Sequence, residues 1–126
     1  MVTPSKKAGT PAPSFGSVSK QTMHLLQELK ASLQARSLWD TQRPPLEKLQ
    51  STTPFASDTL AFYQWLQFIM IPTLQQRIEQ RQPLPNSIAV HPMAIEVWRG
   101  QLREHKEIIL LLKALDNLLD GHNDRH

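Results

Sequence analysis

From Ile108 to Leu119 the apolar residues Ile108, Leu111, Leu112, Leu115, Leu118 and Leu119 return at intervals of three and four. That period matches one face of an α-helix and no face of a strand. It predicts a helix over about Arg103 to Asp120, with Gly121 placed as a C-terminal cap. So broad an apolar face has to be covered by another layer of structure. A second helix with the same rhythm stands near the other end. Met23, Leu26, Leu29 and Leu33 form one stripe between about Val18 and Ser37, with Ser17 or Ser19 as the N-cap.

The middle of the chain carries a third apolar segment, Leu60 to Ile71, and four of the eight aromatic residues fall in "FYQWLQFIMIP". On a helix, Phe62, Trp65, Leu66 and Ile69 share one side, and Leu60, Gln64, Gln67 and Ile71 form a second stripe. A helix apolar nearly all round is an internal pillar, so Gln64 and Gln67 mark its narrow polar strip, which faces solvent by default. Asp58, or Ser57 just before it, is placed to cap the start of this helix. Pro72 has no amide hydrogen, so a kink or restart is expected there. The core expected from these patterns is Leu60, Phe62, Trp65, Leu66 and Ile69, joined by Leu112 and Leu115.

Between these helices "QRPPLEKLQSTTPF" reads as a loop with one helical turn at "PPLEKL". Pro92 suits the first turn of a short helix, "PMAIEVWR", that Gly100 breaks. No stretch reads convincingly as a strand. The expected fold is an all-α, single-domain bundle of four to five helices with a long central helix kinked at a proline. Residues 1–18, rich in Pro, Ser, Thr, Gly and Lys, are expected to form a disordered tail. The bundle then occupies 19–121, and 122–126 is a frayed C-terminus.

The 126 residues suffice for one core without staples, and the absence of cysteine rules out disulfides, thiolate zinc and a cysteine nucleophile. The longest apolar segment has 12 residues, against about 20 for a membrane span. The N-terminus has no apolar run like that of a secretory signal, and a soluble, cytoplasmic protein is expected. The formal net charge is +3, yet from Gln21 to Asp120 ten Lys and Arg balance ten Asp and Glu. The surplus sits mostly in the tail, which disfavours a dedicated nucleic-acid surface on the body.

The chemistry-bearing residues are scattered. His105 has no second histidine one turn away, and the His122–His126 pair stands in a terminal tail. His91 has no partner in sequence that would make it a general base. There is no phosphate-binding or nucleophile-elbow motif, so neither a cofactor nor a metal is expected, and catalysis is not. Trp39, Phe55, Trp65 and Trp98 could stack on bases, but basic residues do not alternate with them. A contact surface for another protein is the better reading of Trp39, Pro54, Phe55, Gln64 and Gln67, where proline-bordered loops meet the polar strip.

At "STTPFASDTLAFYQWLQFIMIPTL" the chain resembles the YqcC-like family of small bacterial proteins. Ser51, Thr53, Pro54 and Phe55 carry the resemblance, with Asp58, Thr59 and Leu60, the "QWLQF" run and Ile71-Pro72. "QPLPNSIAVHP" and the terminal helix extend it over about residues 20 to 120. The resemblance implies a helical fold and a gene neighbourhood shared with a TruC-type tRNA pseudouridine synthase. A pseudouridine synthase domain itself is larger and α/β, and neither Asp40 nor Asp58 lies in the setting of its catalytic aspartate. The leading expectation is therefore a non-catalytic accessory protein that binds a protein partner, with a tRNA pseudouridine synthase as one candidate. Direct tRNA binding and a small-molecule pocket between helices are the alternatives. Self-association is open if the wide face of the terminal helix is left partly uncovered.

Overall fold

The structure is a computed structural model that describes residues 15–123. Five helices follow one another: α1 (Phe15–Ala35), α2 (Leu46–Leu49), α3 (62–79), α4 (Val90–Val97) and α5 (Lys106–Asn123). No strand occurs among the described residues. The all-α bundle expected from periodicity is the fold observed. Helices α1 and α5 pack side by side, and α4 packs on α5. Residues 20–25 of α1 lie beside 114–118 of α5, and 28–32 beside 107–111, so the two run antiparallel.

One core joins four of the helices. Leu26, Leu29 and Leu33 of α1 meet Leu66 and Leu74 of α3, Val90 and Ala94 of α4, and Ile108, Leu112, Leu115 and Leu119 of α5. Each buried leucine is worth roughly 1.5–3 kcal/mol relative to exposure, so this cluster dominates the stability of the fold. Of the expected core, Leu60, Phe62, Leu66, Leu112 and Leu115 are buried, while Trp65 and Ile69 are half-buried. The stripe of α1 also begins earlier than its leucines suggest, with Val18, Ser19 and Thr22 all buried.

Helix α3 shows how the sequence copes with Pro72. It consists of an α-turn, Phe62–Trp65, a π-turn, Leu66–Met70, and a second α-segment, Ile71–Glu79. Proline at 72 has no N–H for the carbonyl four residues back. One residue earlier, the Ile71 N–H reaches five residues back to Leu66, the signature of a π-turn. The irregularity falls where the sequence places it, and the wider turn passes the proline without ending the helix.

Several ends differ from expectation. The tail expected over 1–18 lies outside the described residues up to residue 14, but 15–18 already form the first turn of α1. Ser17 and Ser19 therefore sit inside the helix rather than capping it. Helix α5 continues through Gly121 to Asn123, so Gly121 is not its cap and 122–123 are helical, while 124–126 lie outside the described residues. Helices α1 and α3 stop without glycine. Ser37 (φ 60°) and Arg81 (φ 57°) take the left-handed position, and the Leu38 and Gln82 N–H groups reach back to Leu33 and Arg77. Gly100, with φ 90°, fills a turn after α4 that favours glycine.

Asp58 is not the cap of α3. Helix α3 starts at Phe62 behind Ala61, whose N–H donates to Gln64 Oε1 at 2.9 Å. Asp58 stands outside the helix, fully exposed, and accepts from Ser51 Oγ at 2.6 Å. That bond holds its carboxyl below the ordinary 3.8. Residues 57–60 make a turn of their own, with Thr59 and Leu60 N–H groups closing on Ala56 O, and so keep Asp58 off the helix start.

Candidate functional site

The segment between α1 and α3 leaves the bundle and is tied back to it by side chains. Gln67, the second residue of the π-turn and only 7% exposed, holds the main chain of Asp40 at two points. Its Oε1 accepts from the Asp40 N–H and its Nε2 donates to the Asp40 carbonyl, both at 2.8 Å. Because one partner only donates and the other only accepts, the orientation of this amide is fixed. The carboxylate of Asp40 is held as well. Tyr63 donates its hydroxyl to Oδ1 at 3.1 Å, and Gln64 Nε2 donates to Oδ2 at 2.9 Å. Partial burial, followed by the bond and the negative charge of Asp40, raises the Tyr63 phenol above its ordinary 10.0.

This knot overturns the reading of the two glutamines as a solvent-facing strip. Gln67 is buried and Gln64 is half-buried, and both spend their amides inside the molecule. Buried amides are costly without partners, and the Asp40 main chain supplies the partners that the helix itself lacks. Farther along, Thr59 Oγ1 donates to the Lys48 carbonyl at 2.7 Å and so pins α2. Ser51 Oγ accepts from the Thr53 N–H at 3.0 Å while donating to Asp58. Most polar residues of the "STTPFASDT" and "QWLQF" stretches thus hold this excursion in place.

The five residues expected to bind a partner do not converge on one point. Trp39 is half-buried beneath Lys30, whose ammonium lies 5.3 Å from the ring centroid, and it precedes Asp40 beside Gln64 and Gln67. Pro54 and Phe55 lie on the Trp65 side of α3 instead. Phe55, in a left-handed conformation (φ 58°), places its ring 4.9 Å from Trp65 and 6.3 Å from Phe62. The rings continue through Phe62 to Trp98 at 5.3 Å and then to His105 at 4.6 Å. An unfavourable backbone at Phe55, followed by a second left-handed residue at Ala56, is offset by this edge-to-face packing.

Two hollows border the site. A polar cleft of about 420 Å³ is lined by Asp40, Arg43, Pro44, Pro45, Lys48 and Gln64, among others. Next to it, Leu46 of α2 is 65% exposed, the most exposed large apolar side chain described. On the Trp65 side an apolar hollow of about 190 Å³ lies between α3 and Pro85 and Ile88. That is smaller than the 300 Å³ or so at which ligand pockets begin. Among the described residues no three His, Asp or Glu side chains come together as metal ligands. The two oxygens of Asp40 are each engaged by a donor from α3, which suits a clamp better than a nucleophile. No helix among the described residues is long and apolar enough to cross a membrane.

Sequence reasoning missed Asp116. This buried carboxylate on α5 accepts from the Val90 N–H at 3.1 Å and from the His91 N–H at 2.8 Å. It caps α4 from another helix, and Pro92 leaves no third donor in that first turn. The signal was present: Asp116 stands in the apolar stripe between Leu112 and Leu119. His91, once weighed as a general base, contributes its main chain to this cap.

Residues 21–118 match the model of a family described as tRNA pseudouridine synthase C. Protein YqcC of Escherichia coli strain K12 is 33% identical over 96 residues, 74% of this chain and 83% of that one. The chain belongs to the YqcC-like family. An uncharacterized protein of Haemophilus influenzae is 33% identical over 102 residues, covering 81% of this chain and 95% of its own. The YqcC-like fold is also seen in the solution NMR structure of E. coli YqcC, with a TM-score of 0.74 at 29% identity. That superposition covers 82% of this chain and 88% of the E. coli one. A third match differs in kind. A protein of Pectobacterium carotovorum named tRNA pseudouridine synthase C is 26% identical over 81 residues, which are 64% of this chain but 22% of that protein.

Proposed function

We propose that this chain is a non-catalytic helical accessory protein whose partner is a tRNA pseudouridine synthase of the C type. One observation carries the reading. In the Pectobacterium protein that bears the synthase name, the region similar to this chain is 22% of the length. The named activity is then attributed to the remainder, and the similar region to a module that works beside it. Joining two modules in one chain raises their effective concentration into the millimolar range, so a contact too weak to see between separate chains is still used. The same contact made by separate chains needs a surface that binds on its own.

The surface we assign to it is the edge of the excursion around the polar cleft: Trp39, Arg43 and exposed Leu46, with Pro54 set apart on the Trp65 side. Gln64 and Gln67 support this edge from beneath through Asp40. An apolar side chain as exposed as Leu46, set beside a polar cleft, fits the mixed centre and rim of a protein interface. The test is titration calorimetry of this chain against the tRNA pseudouridine synthase C of the same organism. Micromolar or tighter binding that Leu46→Asp weakens at least tenfold is expected. Binding to tRNA alone, falling steeply with salt, would favour direct RNA recognition instead.

A further inference from the structure

The outer face of the α1–α5 pair is a groove with two unlike ends. One end, a hollow of about 520 Å³, lies between Lys20 and Leu25 of α1 and Ala114 and Leu118 of α5. The other, about 470 Å³, lies between Glu28 and Ala31 of α1 and Glu107 and Leu110 of α5. Both ends follow the same helix faces, because 20, 24, 28 and 31 on α1, and 107, 110, 114 and 118 on α5, are spaced by three or four. Together they run for about 18 Å along α1 at 1.5 Å per residue.

The ends are complementary to each other in charge and in shape. The first brings Lys20 and no acid; the second brings Glu28 and Glu107 and no base. His24, midway, is already paired with Glu28 at 2.8 Å. Leu110 is 52% exposed and projects at the acidic end, while Ala114, one turn along the same helix, leaves a shallow place at the basic end. A patch whose two halves fit each other is the requirement for an interface with two-fold symmetry.

We propose that this groove is closed by a second copy of the chain, related by a two-fold axis that crosses the helix pair at right angles. The operation lays α5 antiparallel on α5 of the second copy and seats each Leu110 over the opposite Ala114. It also brings each Lys20 end over the opposite Glu28–Glu107 end. The product is a four-helix layer pair of the kind that α1 and α5 already begin. This proposal does not depend on the synthase reading, because it uses the opposite kind of surface: two long helices rather than the pinned loop.

Sedimentation of the full chain between about 5 and 500 μM tests it. A monomer–dimer equilibrium is expected, and Leu110→Glu should abolish it with the helical circular dichroism unchanged. Ala114→Glu, also at an exposed position, is the second variant should the first lose its fold. Lys20→Glu should weaken the dimer by roughly fivefold, as two exposed ion pairs are lost at once. Glu107→Lys in the same chain should restore it. A chain that stays monomeric throughout, or a dimer that both carboxylate insertions leave intact, would overturn the proposal. So would a monomer whose Leu110→Glu variant loses only synthase binding, because the groove would then belong to that partner.

Discussion

Asp116 joins α5 to the start of α4 with its carboxylate buried, whereas Asp40 ties the excursion after α1 to α3 from the rim of a cleft. Both residues bridge segments more than twenty positions apart. Their partners differ. Asp116 accepts from two main-chain N–H groups at a helix N-terminus, which are rigid and have no alternative partner. Asp40 accepts from a phenol and an amide, two side chains that water could satisfy. Burial makes the first contact a condition of the fold, and partial exposure makes the second a matter of how firmly one loop is held. What cannot be exchanged with water in the Asp40 region is the grip of Gln67 on the main chain.

This contrast is broken most sharply at Asp116. Asp116→Ala removes a charged acceptor from two donors and is expected to cost about 3 kcal/mol in urea unfolding. Asp116→Asn keeps one acceptor and should cost about half of that. Gln67→Ala comes next, at about 2 kcal/mol, since the Asp40 N–H and carbonyl both lose their partner. Hydrogen exchange should then rise over residues 38–50 and stay unchanged over 90–97. Asp40→Ala should cost only about 1 kcal/mol, because its carboxylate partners turn to solvent. An Asp40→Ala variant less stable than Asp116→Ala would mean that the loop contact, and not the buried cap, is the stronger tie.

Tyr63 reports on the Asp40 contact without unfolding the protein. It is the single tyrosine of the chain, so ultraviolet titration reads it alone. Its midpoint should lie above 10.0 in the native protein and fall towards that value in Asp40→Asn. Because the folded pKa is the higher one, the phenol's contribution to stability is intact below about pH 10. It disappears as the pH rises through the folded value. The smallest effect is expected at Ala89, the left-handed residue before α4 with φ 50°. Ala89→Gly should raise stability by about 0.5–1 kcal/mol, measured as a small increase in the urea midpoint, because glycine adopts that conformation without strain.

The helices were legible because each has an apolar stripe, and Pro72 announced its own irregularity. Their ends were not. Ser37 and Arg81 close helices in the position that glycine usually takes, and Gly121 does not close one. The conformations at Ser37 and Arg81 are held by main-chain bonds to Leu33 and Arg77 that no residue type announces. Asp58 shows the same limit from the other side: an acid just before an apolar run reads as a cap, but its hydroxyl partner, Ser51, lies outside the helix. Gln67 and Asp116 were visible as polar residues in apolar stripes. Their partners, 27 and 26 residues away, were set by how the helices pack.

The proposed accessory role meets its most direct test in hydrogen exchange of this chain alone and mixed with the tRNA pseudouridine synthase C of the same organism. Slower exchange confined to residues 39–55, saturating with one synthase per chain, is the predicted result. Exchange that is unchanged everywhere at tens of micromolar, with the chain folded and the synthase active, would contradict it.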